Sequence, residues 1–494
     1  MNAAPTREVV LLVAVLIVAA ALRIIGLNAS LWYDEVFTLT HFVRLPWSDL
    51  VGELSSLNNH MLYSLEAKAA VSVFGETAWA LRLPAVVFAL GSLVLVWRMG
   101  RQLAGPAAAL LATFLLAVSY HHVWFSQNAR GYTELLFWTM LATMLFVHGL
   151  ERPRLGSWTG YAAAFAAGMY THLSAGFFFA AHAVVYAIAC IAARRAPGRP
   201  LSSRYPGLRS WQPLYGFAAA VAVTALLYAP LLAATVRTIG RVAARSQPGV
   251  SSLPEWASPV RTLQEIAASV GDLGALAPLG IAAGVLLIVI GAVDLYRRSP
   301  LLVAVYAVHV PLCIALLWLL SFRIWPRYFF VDIGFVFLCV AAGIVAVTNR
   351  AAAVIGLAPG KWTARAPLAI AVALATCASL VLLARNYAHP KQDFAGAVAF
   401  VERTRGTGDV ATSTGLAAEP LRSYFAPSWP VAQNAAELQA LLAAAPHVWL
   451  VTAFQSHTER RRPDVMALVQ QRFDLVARFP GTLGEGTVRV YRSR

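Results

Sequence analysis

The stretch Leu31-Trp32-Tyr33-Asp34-Glu35-Val36-Phe37 follows closely on the first long apolar run of the chain, residues 8–25. Two adjacent carboxylates, Asp34 and Glu35, therefore stand where a membrane-spanning helix would end. Charge at such a place is costly unless it faces water or a partner, so these acids are functional candidates. Two solvated acids at a helix end are the plain alternative. The other polar clusters of the chain help to decide between functional acids and solvated ones.

The composition indicates an integral membrane protein. Of the 494 residues, 59% are hydrophobic and only 13% are charged, whereas soluble domains carry roughly 25% charged residues. A net charge of +16 could indicate a nucleic-acid partner. The arginines, however, cluster in short loops between apolar runs, as the positive-inside rule describes, so we predict no nucleic-acid partner. The four cysteines lie inside apolar runs and have neither disulfide nor metal-ligand spacing.

The apolar runs predict a multi-pass protein with about eleven transmembrane helices, each crossing needing about 20 apolar residues. The first run is long enough to be a retained span rather than a cleaved signal. The candidate spans are residues 8–25, 78–97, 105–120, 133–150, 158–172, 174–193, 213–235, 275–296, 301–321, 328–347 and 367–385. The Lys and Arg distribution places the N-terminus in the cytoplasm, and an odd count places the end of the chain outside. We expect the plasma (inner) membrane.

The composition changes after the last span, so we predict a transmembrane module at residues 1–387 and a small extracytoplasmic α/β domain at 388–494. Periodicity predicts helices and strands in alternation there. The helices are residues 393–404, 435–444 and 463–473, and the strands are 409–412, 447–452, 475–479 and 487–491. No glycine-rich phosphate loop occurs in this domain, which favours a docking or substrate-shaping role.

The first outer loop, residues 26–77, contains two segments with helical spacing and mixed apolar and polar faces. They are Val36–Leu45 and Met61–Phe74. Helices of this kind lie in the membrane interface. We therefore predict interfacial helices in this loop.

Four polar clusters fall on the outer face under this topology. They are Asp34 and Glu35; Asn58, Asn59 and His60, with Lys68 about two turns further on; His121–Tyr132; and Arg323–Tyr328. Acids can deprotonate a hydroxyl, and cations can hold a phosphate. Together the clusters offer both groups on one side of the membrane.

Ordinary explanations exist for most of these residues. His60 alone is typical of a solvated loop, and Arg327 and Tyr328 are typical anchors at the end of a span. Arg130 is different, because an arginine on the outer side runs against the charge rule and needs an anionic partner. A carboxylate–histidine site formed by Asp34, Glu35 and His60 is a further alternative, which would hold a divalent cation.

Several motifs, in order along the chain, resemble the GT-C superfamily of membrane glycosyltransferases. Within it, the chain is similar to the bacterial relatives of the protein O-mannosyltransferases and the lipid A aminoarabinose transferase. The motifs are Trp32-Tyr33-Asp34-Glu35, Asn59-His60-Met61-Leu62-Tyr63, Phe74-Gly75-Glu76, Ala80-Leu81-Arg82-Leu83-Pro84, Ser126-Gln127-Asn128-Ala129-Arg130-Gly131-Tyr132 and Pro326-Arg327-Tyr328. Met61 stands where the family has proline, and Asn128 stands where it has glutamate.

The resemblance implies a polyprenyl-phosphate-linked sugar as donor, an active site on the outer face and inverting transfer of a hexosyl or pentosyl group. The acceptor would be extracytoplasmic: a cell-envelope glycan, a lipid or a protein. It implies Asp34 as general base, with Glu35 orienting it or its helix. Donor phosphate contacts are expected from Arg130, Tyr132, Arg327, Tyr328, His60 and Lys68. Substrate-shaping residues are expected to be Tyr33, Asn59, His122 and Gln127.

Two functions from other classes are also compatible with this sequence. A lipid-linked sugar flippase would need polar residues through the middle of several spans and some repeat symmetry, but most mid-span segments are apolar. A non-catalytic envelope-assembly subunit with the same lipid pocket is disfavoured only by the intact Asp34.

Overall fold

A computed structural model gives the fold of the chain. The structure describes residues 6–52, 54–56, 58–195, 200–246, 277–320, 322, 324–354 and 362–494. It is mainly helical, with one small sheet near the C-terminus. The mainly helical class and the C-terminal sheet are both confirmed.

The first part of the chain contains one long apolar helix and three shorter ones. They are α1 (Thr6–Ile24), α2 (Tyr33–Thr38), α3 (Trp47–Gly52) and α4 (Met61–Phe74). α2 continues as a π-helical turn over Leu39–Val43. The two helices predicted in the outer loop are thus present, and their position at the membrane surface stays a prediction.

A bundle of apolar helices follows. It comprises α5 (Ala78–Leu103), α6 (Pro106–Ala117), α7 (Tyr120–Ser126), α8 (Tyr132–Glu151), α9 (Leu155–Thr171), α10 (Ala175–Arg195), α11 (Pro200–Arg204), α12 (Gln212–Tyr228), α13 (Leu232–Ser246), α14 (Ala277–Arg298), α15 (Pro300–Leu319), α16 (Ile333–Val354) and α17 (Trp362–Ala388). A 3₁₀ turn over Pro326–Asp332, here the 326–332 turn, leads into α16.

Helices occupy most of the described part of each of the eleven predicted spans. Seven helical segments in the described part of the chain are long and apolar enough to cross a membrane, and α6 with α7 makes up to eight. The chain is therefore a multi-pass membrane protein, and the count of eleven crossings stays a prediction.

α6 and α7 form a broken helix with a bend of 60°. The break falls at Ser119, whose ψ of 126° is extended. The carbonyl of Ala117, at the end of α6, accepts a hydrogen bond from Nη1 of the buried Arg23 at 3.1 Å. Because helix ends leave carbonyls without partners, this arginine stabilises the break and joins it to α1.

The bundle has one large core, and part of it is packed backbone to backbone. A Cβ added at Gly291 of α14 would lie 1.8 Å from the Cys339 carbonyl oxygen, and one added at Gly343 of α16 would lie 2.2 Å from the Leu287 carbonyl oxygen. Such close approach of membrane helices requires small residues at the contact.

The C-terminal region is an α/β unit. It contains α18 (Phe394–Thr404), β1 (Val410–Ser413), α19 (Ala418–Pro420), α20 (Ala435–Ala444), β2 (Val448–Thr452), α21 (Gln455–Arg461), α22 (Pro463–Arg472), β3 (Phe473–Phe479) and β4 (Val488–Ser493). The strand order is β1-β2-β4-β3, with β1 and β2 parallel and the other pairs antiparallel. All the predicted helices and strands of this region are present, and the domain boundary at residue 388 stays a prediction.

Apolar clusters lie on both faces of this sheet. One contains Phe394 and Val401 of α18 against Trp449 and Val451, and the other contains Val465 and Val469 of α22 against Leu450. β2 is buried along its whole length, as expected for a central strand covered on both sides.

Candidate active site

The centre of the site is a cluster of one carboxylate and two guanidinium groups. Asp34 Oδ2 lies 3.1 Å from Arg130 Nη1 and 3.9 Å from Arg327 Nη1. Asp34 is in the first turn of α2, Arg130 is in the loop between α7 and α8, and Arg327 is in the 326–332 turn. Three segments far apart in sequence therefore converge here, and three of the four predicted polar clusters contribute the charged groups.

The second predicted cluster lies against Arg130. The Arg130 guanidinium donates a hydrogen bond to the side-chain oxygen of Asn58, and its Nη2 lies 3.0 Å from His60 Nε2. Burial lowers the pKa of His60 well below its usual value, and the charge of Arg130 lowers it further. His60 is therefore neutral, and the positive charge of this part of the site resides on the arginines.

Aromatic rings enclose the two arginines. Arg130 lies 5.7 Å from the centre of the Tyr132 ring and Arg327 lies 4.6 Å from that of Trp325. The Tyr328 ring is 6.1 Å from that of His172. Aromatic faces stabilise cations while leaving their N–H groups available to an anion.

The charges do not balance within this cluster. Two guanidinium groups face one carboxylate, which leaves one positive charge. The Arg327 side chain is 33% exposed and that of Asp34 is 15% exposed, whereas that of Arg130 is 4% exposed. The cluster can therefore accept an anion, and Arg327 lies on its open side.

Glu35 points away from this cluster into a buried ion pair. Arg82 Nε donates to Glu35 Oε1 at 2.7 Å, and Arg82 Nη2 donates to Oε2 at 2.6 Å. Burial alone would raise the pKa of Glu35, but the charge and hydrogen bonds of Arg82 outweigh it, and the pKa lies below its usual value. Glu35 is thus an ionised anchor that fixes α2.

The same anchor holds the loop that carries Arg130. The Ala129 amide donates to Glu35 Oε1 at 2.7 Å, and Trp32 Nε1 donates to Asn128 Oδ1 at 3.0 Å. Asn128, which stands at the family's glutamate position, therefore acts here as an acceptor for Trp32. A Cβ at Gly131 would lie 2.6 Å from Thr171 Cγ2, so this position requires glycine for the close packing of the loop.

Lys68 lies outside the cluster, in contrast to its predicted role. Its ammonium group donates to the carbonyls of Val43 at 3.0 Å and Leu45 at 2.5 Å and lies 5.2 Å from the Trp47 ring centre. The end of the π-helical turn leaves carbonyls free, and cations bind there. Lys68 therefore caps that turn.

Asn59, His122 and Gln127 also make contacts within the protein. Asn59 Oδ1 accepts from Ser64 Oγ at 2.7 Å, in the first turn of α4. His122 Nδ1 lies 2.6 Å from Arg23 Nη2. Gln127 Nε2 donates to carbonyls at the end of α1, including that of Ile25 at 2.6 Å. These contacts support helix ends around the site, and a role in shaping the substrate stays a prediction.

Tyr33 lies on the other side of α2, against the C-terminal region. Its amide donates to Gln392 Oε1 at 3.0 Å, and its ring packs edge-on against that of Phe454 at 5.9 Å. Burial raises the pKa of Tyr33 to about 12, with Asp34 and Glu419 adding to the effect. Its hydroxyl is therefore a neutral hydrogen-bonding group between the ion cluster and the C-terminal sheet.

The metal site considered for Asp34, Glu35 and His60 is not assembled. Arg82, Trp32 and Ala129 occupy the Glu35 oxygens, and both nitrogens of the His60 ring face N–H donors. In the described ranges, no group of three or more His, Cys, Asp or Glu side chains is placed to share a metal ion. Of the fourth predicted cluster, Arg323 lies outside the described residues.

Two cations near the site were missed by the sequence reasoning. Arg82 pairs with Glu35 and was not among the predicted site residues, although an arginine inside an apolar helix is itself a signal. Lys391 follows α17, is buried, and donates to the Gln127 carbonyl at 2.5 Å while lying 5.1 Å from the Trp124 ring centre. Burial lowers the pKa of Lys391 to about 7. No local pattern indicated this contact.

Comparison with known proteins adds to this geometry. A model of the family "Dolichyl-phosphate-mannose-protein mannosyltransferase" matches residues 61–201. The crystal structure of ArnT from Cupriavidus metallidurans bound to undecaprenyl phosphate superposes with a TM-score of 0.53, 13% identity, and coverage of 99% of this chain and 98% of ArnT. The chain has the fold of the GT-C membrane glycosyltransferases.

A second GT-C structure shows the same likeness. The archaeal oligosaccharyltransferase AglB from Archaeoglobus fulgidus, in complex with an inhibitory peptide and a dolichol-phosphate, gives a TM-score of 0.51 at 13% identity, over 98% of this chain and 74% of AglB. No curated protein sequence matches the chain. The family match at residues 61–201 includes Arg130 and Tyr132 but not Asp34 or Arg327. The structural superposition on ArnT, in contrast, extends over 99% of the chain.

Proposed function

We propose that the protein is an inverting glycosyltransferase that moves a sugar from a polyprenyl-phosphate donor to a hydroxyl of an extracytoplasmic acceptor. The observation that carries the proposal is the position of the Asp34 carboxylate beside Arg130 and Arg327. An acid beside a net positive, partly open pocket supplies both groups that such a transfer needs. The lipid phosphates in the ArnT and AglB complexes support a donor of the same class here.

The donor phosphate would bind on the arginine side of the cluster. A sugar-linked polyprenyl phosphate carries one negative charge, which matches the one uncompensated positive charge of the site. Arginine holds phosphate through two parallel hydrogen bonds. As the phosphate takes the Arg130 contact that Asp34 now makes, the carboxylate is released toward the acceptor.

The transfer forms one bond and breaks another at the anomeric carbon of the sugar. The acceptor oxygen forms a bond to the anomeric carbon of the sugar, and the bond from that carbon to the phosphate oxygen breaks. The hydroxyl proton passes to Asp34, and polyprenyl phosphate leaves with a second negative charge. Arg130 and Arg327 stabilise that growing charge, which is worth several kcal/mol for each well-placed donor. Attack from the face opposite the phosphate inverts the anomeric configuration.

The neighbouring groups have supporting roles in this proposal. Tyr132 and Tyr328 position the arginines, and neutral His60 positions Arg130 through the contact between its Nε2 and Arg130 Nη2. Glu35 and Arg82 hold α2 so that Asp34 faces the arginines. A mannosyltransferase-like activity on cell-envelope material fits the family match to residues 61–201. No resident cofactor enters the scheme.

Transport of the lipid-linked sugar is the rival function, and it would use polar groups inside the bundle. Two buried sets of such groups bind one another. His309 Nδ1 lies 3.0 Å from Asp332 Oδ1, and His182 is placed between Thr143 at 3.1 Å and Tyr161 at 3.2 Å. Paired groups of this kind stabilise the bundle rather than form an open polar path.

Mass spectrometry of the products formed by purified membranes tests the proposal. Polyprenyl-phosphate hexoses and pentoses would be supplied with an envelope extract as acceptor, and the Asp34→Asn protein would serve as the matched control. We expect a glycosylated acceptor together with free polyprenyl phosphate, in the wild type only. Equal product from Asp34→Asn, or movement of intact donor across the membrane with no product, would contradict it.

A further inference from the structure

A cavity lies between Tyr33 of α2 and the C-terminal region. It has a volume of about 220 Å³, and nothing in the transfer scheme above uses it. Its charged and hydroxyl-bearing lining consists of Tyr33, Glu419, Arg422 and Arg462. At roughly 30 Å³ for a water-sized group, this space matches one sugar ring rather than a long glycan.

The cavity occupies a place in the fold where ligands commonly bind. β1 and β2 are parallel, and open sheets bind ligands outside the carboxyl ends of parallel strands. Gly415 and Leu416, directly after β1, line the cavity. The hydroxyls of Ser413 and Thr414, at the end of β1, are buried and make no hydrogen bond within the described residues.

Positive charge exceeds negative charge around the cavity. Arg422 Nη2 lies 2.9 Å from Glu419 Oε2, so these two neutralise each other. The Arg462 guanidinium forms neither a hydrogen bond nor an ion pair with the described part of the chain, and its charge helps to lower the pKa of Asp464, which lies outside the cavity lining. One positive charge thus remains for a ligand, and an arginine of this kind binds a carboxylate or phosphate through paired hydrogen bonds.

Tyr33 connects the cavity to the proposed base. It lines the cavity and is the residue before Asp34 in α2, and the charges of both Asp34 and Glu419 act on its hydroxyl. A sugar bound in the cavity would therefore contact α2 one residue before the proposed base, although Asp34 itself is not among the lining residues. The donor side of the cluster, at Arg130 and Arg327, remains free for the lipid phosphate.

We infer that this cavity is the acceptor site and that it takes a sugar bearing a carboxylate or phosphate group, held by Arg462. The assignment as an acceptor site rests on the proposed function. The selectivity for an anionic sugar rests on the cavity alone. The C-terminal region thereby selects the substrate that receives the sugar.

Saturation-transfer NMR on the full-length protein in detergent tests the inference with three probes: glucose, glucuronate and glucose 6-phosphate. The measurements would use an Arg130→Ala/Arg327→Ala background, so that phosphate binding at the donor side does not contribute. We expect glucuronate, glucose 6-phosphate or both to bind, and glucose to bind at least about tenfold more weakly, as for loss of one charged hydrogen bond. The first two probes distinguish a carboxylate from a phosphate as the preferred group.

Substitutions that are expected to weaken and to strengthen anion binding make the test specific. Arg462→Ala should weaken binding of the anionic probes by about tenfold or more, and Arg462→Lys should retain part of it. Glu419→Gln should strengthen binding, because it removes the competing anion and frees Arg422. Arg405→Ala, which removes a partly exposed arginine paired with Glu402 outside the cavity, is the matched control and should change nothing.

Outcomes separate this inference from the proposed function. Equal binding of glucose and the anionic sugars, or unchanged anion binding in both Arg462→Ala and Glu419→Gln, would overturn the acceptor site. Failure of the wild type to bind undecaprenyl phosphate would instead count against the donor site and the proposed transfer, while leaving anion binding at Arg462 intact.

Discussion

Glu35 and Arg82, 47 positions apart in the sequence, form a bidentate ion pair in which the Glu35 side chain is 0% exposed and that of Arg82 is 2% exposed. Arg82 also donates to the carbonyls of Leu27 and Ala29 at 2.7 and 2.8 Å. One guanidinium group therefore fixes both the end of the segment after α1 and the start of α2, and with them the direction in which Asp34 points.

Arg82→Leu should destabilise the protein by about 3–5 kcal/mol, because it leaves a buried carboxylate without its partner. The measurement is thermal unfolding in detergent at pH 7. Arg44→Leu is the matched control, since Arg44 pairs with Glu76 at 2.7 Å on the surface and such pairs contribute about 1 kcal/mol or less. Equal effects of the two variants would show that the buried pair does not anchor α2.

Asp34→Asn should reduce turnover by roughly 100-fold or more, because the amide cannot accept the acceptor proton. Binding of undecaprenyl phosphate should be unchanged or tighter, because Arg130 and Arg327 lose their competing anion. Single-turnover rates and lipid affinity would be measured on the same purified protein, with Asp49→Asn in exposed α3 as control. A folded Asp34→Asn protein with a normal chemical step would exclude Asp34 as the base.

Arg130→Lys should weaken donor binding by about tenfold or more, since lysine cannot reproduce the two parallel hydrogen bonds of a guanidinium group. Lys68→Met provides the contrast. Its ammonium group caps the turn after α2 rather than entering the cluster, so we expect normal donor affinity and reduced thermal stability. Near-normal turnover in both Arg130→Ala and Arg327→Ala would rule out the phosphate site.

Lys391 should make stability depend on pH. Its pKa is about 7 in the folded protein against 10.5 as the ordinary value, so between about pH 7 and pH 10.5 the unfolded state binds more protons. The Lys391 contribution to the unfolding free energy therefore rises with pH through this window. Comparing unfolding of the wild type and Lys391→Met at pH 6.5, 8 and 9.5 checks this. A constant difference across the three pH values would contradict it.

Cysteine labelling tests the orientation in the membrane. Positive charge in the loops predicts a cytoplasmic N-terminus and an extracytoplasmic C-terminal region. In a cysteine-free background, an impermeant thiol reagent applied to intact cells should label Ser456→Cys and not Ser203→Cys. Labelling at position 203 alone would reverse the orientation, and the proposed active site would then face the cytoplasm.

Much of the helical fold could be predicted from the sequence, because a membrane helix needs a long apolar run and each run stands out on its own. The C-terminal strands could also be predicted, since residues such as Val448–Thr452 form a short apolar run bounded by polar segments. Local patterns were sufficient for elements of both kinds.

Contacts between distant segments could not be predicted in the same way. The pairing of Glu35 with Arg82 and of Lys391 with the Gln127 carbonyl depends on how the helices are rotated against one another, which periodicity does not determine. Lys68 shows the same limit: spacing placed it near His60, but unpaired carbonyls at the end of the π-helical turn provided a stronger partner. Arg130 was predictable because its charge opposes the orientation rule.

The attachments of residues 127–131 determine how the donor meets its binding site. Gln127 is held by α1 and Lys391, Asn128 by Trp32, and Ala129 by Glu35. Ordering a loop costs roughly 1–2 kcal/mol for each residue whose backbone is fixed, and here that ordering is complete once the chain has folded. The lipid headgroup therefore diffuses through the bilayer to a preorganised guanidinium group, and its binding energy is not reduced by immobilising the loop.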